Sequence, residues 1–202
     1  MTLGEFSVVI SIVGILPYLT GMFRGTLRPH RTSWFIWTII LALTLWGYWA
    51  VGARDSAWFI FGDLLVTGAV FVVSLWRGKG GLERLDLCCL VIAVVGVAVW
   101  QLSRAPVFVL FGTVMADAVS IVPTLVKALR EPETESATPF LASSFAALCG
   151  VMAVGQWNMQ LLFYPFYLFL ANFVTGLVIV VSQYQVRHLY GHMVHNLPRV
   201  AD

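Results

Sequence analysis

Seven long apolar runs divide the chain, and they restrict its fold more than any other feature. They cover residues 3–22, 33–52, 56–76, 86–103, 106–128, 138–155 and 160–184. A helix of about 20 residues is long enough to cross the hydrocarbon core of a bilayer. A chain of 202 residues that is 59% hydrophobic and 11% charged cannot bury this much apolar surface in a soluble fold. The sequence therefore predicts an all-α integral membrane protein with seven transmembrane helices.

Lysine and arginine residues near the ends of these runs fall mostly on one side of the predicted membrane. Ten lie on that side and two on the other, namely Arg24, Arg28, Arg31, Arg77, Lys79, Arg84, Lys127, Arg130, Arg187 and Arg199 against Arg54 and Arg104. Because cytoplasmic loops are enriched in these residues, we expect a multi-pass cell membrane protein with its N-terminus outside and its C-terminus in the cytoplasm. The membrane topology thus explains where these lysines and arginines lie. The net charge of +2 gives no support for nucleic-acid binding.

Two stretches of the chain resemble each other, one beginning at Ile15 and the other at Ile121. Aligned without a gap, "ILPYLTGMFRGTLRPHRTSWF" and "IVPTLVKALREPETESATPFL" agree at five positions and place Trp34 over Phe140. A second pair, "VTGAVFVVS" at 66–74 and "VTGLVIVVS" at 174–182, agrees at seven of nine positions. Helices 1–3 and 5–7 are therefore expected to be two copies of one three-helix unit.

An odd helix between the copies follows from topology. Three spans reverse the direction of the chain, so helix 4 must return it before the second copy can start in the same orientation. The predicted parts are a first three-helix bundle, a cytoplasmic loop with inversion helix 4, a second three-helix bundle and a cytoplasmic tail, over 1–76, 77–105, 106–185 and 186–202. Parallel repeats about an axis along the membrane normal occur in transporters and indicate a central substrate site.

Polar and small residues recur at helical spacing inside the predicted spans, where they are costly unless they face the bundle interior. Helix 5 carries Thr113, Asp117, Ser120 and Thr124, and helix 1 carries Ser7, Ser11, Gly14 and Tyr18. Helix 7 offers Asn172, Thr175, Gly176 and Ser182, and helix 3 offers Asp63, Thr67, Gly68 and Ser74. The alternative is that such residues only let membrane helices pack closely. The residues favoured for substrate binding are Asn172, Asp63, Asp117, Thr67, Thr175, Ser11 and Trp37.

The two aspartates are the least easily explained by packing. An isolated carboxylate in the membrane interior is costly unless a proton, water or a cation accompanies it. Asp63 and Asp117 are therefore suited to carrying a proton or to meeting a cationic or hydroxylated substrate. A protonated carboxyl bonded to a neighbouring helix as a structural contact is the alternative for both.

Prolines occur in register in the two copies. Pro17 and Pro123 each remove one backbone hydrogen bond within their helices, which predicts kinks that serve as gating hinges. Pro139 begins helix 6, where the first copy has Ser33, and a proline in the first turn of a helix costs little. The same positions are also consistent with the general frequency of proline in membrane helices.

These residues resemble the SWEET and PQ-loop transporters, which have two three-helix bundles joined by an inversion helix. Pro17, Pro123 and Pro139 look like three of the four prolines that recur in the first two helices of each bundle, with Ser33 in place of the last. "TPFLASS" at 138–144 and "LWGYW" at 45–49 are similar to the family's start of helix 6 and end of helix 2. Asn172 is similar to its substrate-facing asparagine. The chain departs from the family in lacking glutamine after Pro17 and Pro123, and in having Asp63 where SWEETs typically carry asparagine.

Other sites have weaker support. His188, His192 and His195 have a spacing that can hold a metal from one helical face, but a solvated helix beside the membrane explains them more simply. The loop "REPETES" from Arg130 is interpreted as a solvated connection. Trp34 and Trp37 are either interfacial belt residues or substrate contacts. Because the sequence contains no nucleophile, zinc or nucleotide motif, we expect neither an enzyme nor a bound cofactor or metal.

The favoured function is transport of a sugar or another small polar metabolite by alternating access, with proton coupling left open. A membrane receptor or scaffold of the same fold and an integral-membrane enzyme are the alternatives. The expected partners are a small-molecule substrate and the lipid bilayer, with no nucleic acid. The sequence leaves open whether the chain forms a homo-oligomer.

Overall fold

The computed structural model describes residues 2–50, 52, 54–81, 83–102, 106–154 and 159–195. Within these residues the fold is helical, as predicted, with seven α-helices and one short 3₁₀ turn. The helices are α1 (Leu3–Phe23), α2 (Arg31–Ala50), α3 (Arg54–Arg77), α4 (Arg84–Leu102), α5 (Pro106–Arg130), α6 (Thr138–Ala153) and α7 (Met159–His195), and the 3₁₀ turn is Pro132–Thr134.

The helix boundaries lie within two residues of the predicted runs, except at the end of α7. There the helix continues to His195, eleven residues beyond the predicted span, because the polar segment after Gln183 contains no proline. The predicted tail therefore begins as a continuation of α7.

Four of the described helices are long and apolar enough to cross a membrane, over Leu3–Phe23, Ala57–Arg77, Gly112–Arg130 and Leu161–His188. Helix α6 is apolar but has only 16 residues. Large apolar side chains are more than half exposed on the outside of the helix assembly, among them Val13, Phe23, Trp46, Trp76 and Val91. An apolar exterior of this kind fits a lipid environment.

The helices pack as a closed ring. Going round it, each helix contacts the next in the order α1, α3, α2, α5, α7, α6 and back to α1. Helix α4 lies outside the ring against α5 and α2, and α3 also contacts α6 across its interior. Helices that are adjacent in the chain are therefore not always adjacent in space.

A glycine allows the close contact between α1 and α6. A Cβ atom added at Gly14 would lie 2.1 Å from the Cβ of Ala142, far inside van der Waals distance. Gly176 has the same role in α7, where an added Cβ would lie 2.7 Å from a methyl carbon of Leu141. Helix α6 is thus held tightly against α1 on one side and α7 on the other.

Three loops meet at one end of the ring, which we call the basic end because the predicted cytoplasmic lysines and arginines cluster there. The loops are 24–30, 78–83 (described except for residue 82) and 131–137. His30 and Lys79 form a short parallel bridge between the first two loops. The backbone N–H of Arg28 donates to the carbonyl of Thr134 at 3.0 Å and joins the third loop to the first.

Candidate functional site

A small cavity lies in the interior of the ring, with a volume of about 30 Å³. Five helices, α2, α3, α5, α6 and α7, contribute its walls, and α1 contributes none. Its lining is Trp34, Trp37, Leu41, Asp63, Thr67, Asp117, Ile121, Pro139, Phe140, Ser143, Leu168, Asn172 and Thr175. The volume is enough for roughly one or two water molecules and too small for a sugar.

The cavity brings together six of the seven residues that the sequence favours for substrate binding, namely Asn172, Asp63, Asp117, Thr67, Thr175 and Trp37. Ser11 is the exception. It is buried in α1, and its hydroxyl has no hydrogen-bond partner in the part of the chain that the structure describes. The helical spacing that groups Ser11 with the other polar positions identifies a buried face of α1, but that face does not reach the cavity.

Asp63 receives a hydrogen bond from another helix. The Ser143 hydroxyl on α6 donates to Asp63 Oδ1 at 2.6 Å, which joins α6 to α3 at the cavity wall. Asp63 is 5% exposed. This hydrogen bond is compatible with both roles considered for Asp63, a structural link between helices and a group that binds substrate.

Asp117 has a comparable partner on α7. The Tyr167 hydroxyl donates to Asp117 Oδ2 at 2.9 Å. Within the described residues, neither Asp117 nor Asp63 forms an ion pair with a lysine, arginine or histidine. The cavity therefore contains two buried carboxyl groups whose partners are hydroxyls rather than cations.

Asn172 and Thr175 donate hydrogen bonds to their own helix. The Asn172 side-chain amide donates to the carbonyl of Leu168 at 3.0 Å, and the Thr175 hydroxyl donates to that of Ala171 at 2.8 Å. Among the described residues, none donates a hydrogen bond to the side-chain oxygen of Asn172. With the two carboxyls, this makes the cavity rich in acceptors, which suits a ligand that donates hydrogen bonds or carries positive charge.

Aromatic side chains close the cavity toward the basic end. Trp34 and Trp37 pack edge to face with ring centroids 5.3 Å apart, and Phe140 lies 6.0 Å from each of them. All three are buried. The interpretation of Trp34 and Trp37 as interfacial belt residues is therefore wrong, since belt residues face the headgroup region and these face the cavity.

A buried polar cluster lies closer to the basic end. Lys127 donates to Glu135 Oε1 at 2.7 Å, and the Tyr18 hydroxyl donates to Glu135 Oε2 at 2.8 Å. Glu135 is 1% exposed, so its interpretation as part of a solvated loop is wrong. Burial raises the pKa of Glu135, while the hydrogen bonds and the charge of Lys127 oppose that rise. The cluster joins α1, α5 and the 131–137 loop.

Two further contacts hold the 131–137 loop. The Gln183 side-chain amide on α7 donates to the carbonyls of Pro132 and Glu135, at 3.0 and 2.8 Å. Glu131 pairs with Lys79 of the 78–83 loop, and this hydrogen bond lowers the pKa of Glu131. The basic end is therefore closed by a connected set of polar contacts.

His30 joins the first two loops through Asp86 at the start of α4. Its Nε2 lies 3.2 Å from Asp86 Oδ1, and Asp86 Oδ2 accepts from the backbone N–H groups of Gly81 and Glu83. Burial lowers the pKa of His30, with the charge of Asp86 acting in the opposite direction. This contact fixes loop positions and lies apart from the cavity.

The predicted hinge residues occupy different environments. Pro17 lies inside α1 and is exposed on the outside of the ring, whereas Pro123 lies inside α5 and is buried. Pro139 is in the first turn of α6, at the cavity wall. Ser33 is buried in α2, and its hydroxyl has no hydrogen-bond partner among the described residues. Helices α1 and α5 continue through these prolines, as α7 continues through Pro165.

Metal ligation was an alternative for three histidines near the C-terminus. The side chains of His192 and His195 lie outside the described part of the chain. Within the described part, no group of three or more histidine, cysteine, aspartate or glutamate side chains is placed to hold a metal ion.

Several residues of this site were not predicted from the sequence. In each case the residue is recognised only by its hydrogen-bond partner in the folded chain. In the sequence, nothing distinguishes Ser143 and Tyr167 from other polar residues in apolar helices. In the folded chain, their hydroxyls donate hydrogen bonds to Asp63 and Asp117. Glu135 has no local feature that separates it from Glu131 or Glu133. Only the position of Tyr18 and Lys127 in space marks it as buried.

No protein-family model, curated protein or solved structure matches this chain.

Proposed function

We propose that this chain is a transporter of a small polar solute that works by alternating access across the cell membrane. The observation that carries the proposal is the central cavity, where two carboxyl groups and the Asn172 amide meet inside a ring of apolar helices. Buried acceptors of this kind in a membrane protein mark a substrate or ion path by default. In this proposal all seven helices cross the membrane, and the basic end faces the cytoplasm.

The arrangement of helices supports two matching units, α1–α3 and α5–α7, which we call the first and second unit. Within each unit the third helix lies between the other two, in the order α1, α3, α2 and α5, α7, α6. The units meet through α1 with α6 and α2 with α5, so the first helix of each contacts the second helix of the other. Such reciprocal contacts are expected of two copies related by a two-fold axis.

A pair of matching residues supports the same axis. Trp34 and Phe140 occupy equivalent positions in the two similar stretches, 106 residues apart, and their ring centroids are 6.0 Å apart. Equivalent residues can touch each other only close to the axis that relates them. With α4 as the connecting helix, these contacts support the 3+1+3 organisation that the resemblance to SWEET and PQ-loop transporters implies.

The state described here is closed at the basic end. The units are joined there by Tyr18 with Glu135 and by the backbone bond from Arg28 to Thr134, and Lys79 in the loop after the first unit pairs with Glu131. Because the cavity is too small for a sugar, substrate entry requires the units to move apart at one end. In the proposed cycle these contacts break when the basic end opens, with Pro17 and Pro123 as the hinges in matching helices.

The chemistry of the cavity narrows the substrate class. Asp63, Asp117 and the oxygen of Asn172 offer acceptors, while Trp34 and Trp37 offer aromatic faces. Hydroxyl-rich solutes such as sugars donate hydrogen bonds to these acceptors and stack on aromatic rings. Organic cations bind to carboxylates and to the faces of aromatic rings. A proton on Asp117 is the proposed coupling ion where transport is driven by a pH gradient.

A thermal-shift screen of the purified protein against sugars, amino acids, vitamins and organic cations tests the proposal, because a ligand that binds the folded state raises its unfolding temperature. Hits are then tested for flux in proteoliposomes. We expect Asn172→Ala to weaken both binding and flux, while Thr20→Ala, which removes a hydroxyl bonded to Leu16 outside the cavity, retains both. Binding that depends on Asn172 without any flux would favour a receptor or scaffold instead.

A further inference from the structure

A second and much larger space lies on the outside of the ring, between α1 and α7 near the basic end. This groove has a volume of about 960 Å³ and shares no lining residue with the central cavity. Val13, Leu16 and Pro17 of α1 line one wall, and Val186 of α7 lines the other. Its position on the outer face places it against lipid rather than on the proposed substrate path.

The groove has a simple origin in the packing. Helices α1 and α7 both pack against α6, but α6 begins at Thr138. Closer to the basic end, residues of the 131–137 loop form the floor between the two helices, including Pro132 and Ser136. A short loop fills less space than a helix, so the two walls enclose an open channel.

Two arginines lie where the groove meets the basic end. Arg24 follows α1 and Arg187 lies on α7, and both are exposed. Neither side chain forms a hydrogen bond or ion pair with any residue in the described part of the chain. Of the two acidic lining residues, Glu135 is held by Lys127, and Glu133 has no cation partner among the residues that the structure describes. The mouth of the groove is therefore net positive.

The length of the groove along α1 matches the thickness of one leaflet of a bilayer. Val13 and Arg24 are eleven residues apart in the chain, which corresponds to about 16 Å along a helix. This is close to half of a hydrocarbon core about 30 Å thick. An apolar channel of this depth with cations at its polar end has the shape and charge of a bound phospholipid, with the chain along Leu16 and the phosphate at the arginines.

We propose that this groove binds an anionic phospholipid from the leaflet at the basic end. The guanidinium groups of Arg24 and Arg187 bind the phosphate, for which arginine offers paired donors. The apolar walls hold an acyl chain. The site depends on the membrane location of the chain and is independent of whether the chain transports a solute.

Native mass spectrometry of the detergent-purified protein, titrated with phosphatidylglycerol or with phosphatidylcholine, tests this site. We expect tighter retention of phosphatidylglycerol, and a loss of roughly 30-fold in its affinity for Arg24→Ala/Arg187→Ala, from the contribution of two arginines near anionic lipid. The matched control is Arg77→Ala/Arg84→Ala, which removes the same charge from exposed positions at the same end. This control should bind like the wild type.

A second variant tests the apolar part of the groove. Leu16→Trp fills the channel at an exposed position and keeps both arginines, so it should also weaken phosphatidylglycerol binding. Equal affinity of the two double variants would overturn the proposal. So would competition by inorganic phosphate at concentrations similar to those of the lipid, because the site would then bind a free anion.

Discussion

The hydroxyl of Tyr18 donates a 2.8 Å hydrogen bond to the carboxylate of Glu135, a residue 117 positions away in the chain. Tyr18 lies on α1 and Glu135 lies in the loop before α6, so the bond joins the two proposed units. Lys127 completes the cluster, and all three residues are buried. In the proposed cycle Tyr18 must separate from Glu135 and Lys127 each time the basic end opens.

Removal of Glu135 should destabilise the protein strongly. Glu135→Ala leaves Lys127 buried without its counter-charge, and loss of one partner of a buried ion pair costs about 3–5 kcal/mol. The matched control is Glu131→Ala, which breaks a pair whose side chains are 37% and 38% exposed, and exposed pairs contribute about 0–1 kcal/mol. The unfolding temperatures of the two variants are measured in detergent and compared with that of the wild type. A similar decrease for both would show that Glu135 is solvated in the folded protein.

The contact of α1 with α6 should not tolerate a side chain at Gly14. An added methyl group would lie 2.1 Å from Ala142 Cβ, and such overpacking costs about 1–3 kcal/mol. Gly47→Ala in α2 is the control, because its added Cβ would meet no atom within 4 Å. We expect Gly14→Ala to lower the unfolding temperature and Gly47→Ala to keep or raise it. Equal stability of the two variants would contradict the close packing of α1 on α6.

The two central polar residues should have separable roles in transport. Asp117→Asn keeps an acceptor for the Tyr167 hydroxyl but removes the proton site, so it should abolish pH-driven accumulation and spare exchange of labelled for unlabelled solute. Asn172→Ala should weaken solute binding by about 1–3 kcal/mol, roughly 5- to 150-fold in Kd. Transport and binding like the wild type in both variants would place the substrate route elsewhere.

The basic end should be reached only from the cytoplasm. In a background with Cys88, Cys89 and Cys149 replaced by alanine, Glu83→Cys provides an exposed thiol at that end and Asp55→Cys provides one at the opposite end. A maleimide that does not cross membranes should label position 55 in intact cells and position 83 only after permeabilisation. The reverse pattern would show that the chain has the opposite orientation.

The sequence was sufficient to predict the helices, from their continuous apolar runs, and most of the central cavity, from the helical spacing of polar residues within those runs. Asp117 and Thr113 lie four residues apart, and a polar pair at that spacing in an apolar span indicates an inward face. Periodicity does not say which neighbour a face meets. The spacing of polar residues in α1 therefore predicts that Ser11 belongs to the site, although α1 contributes nothing to the cavity lining.

The closure of the basic end could not be predicted, because it depends on contacts between distant parts of the chain. A loop that reads "REPETES" has the composition of a solvated segment. Its burial follows from the position of Tyr18, Lys127 and Gln183 around it. Such contacts are set by how the helices pack, which local sequence does not encode.

The most direct test of alternating access is the reactivity of Thr67→Cys, a buried cavity residue, toward a small charged thiol reagent added to one side of proteoliposomes. The cysteine-free background also carries Arg28→Cys and Thr134→Cys, whose backbones are hydrogen-bonded across the basic end and are suited to a disulfide. With the loop cysteines reduced and the reductant then removed, we expect modification of position 67 from both sides. Oxidation should abolish modification from the basic end and retain it from the opposite end, an effect absent in either single-cysteine loop variant. Modification from one side only in both redox states, or from neither side, would contradict alternating access between the two units.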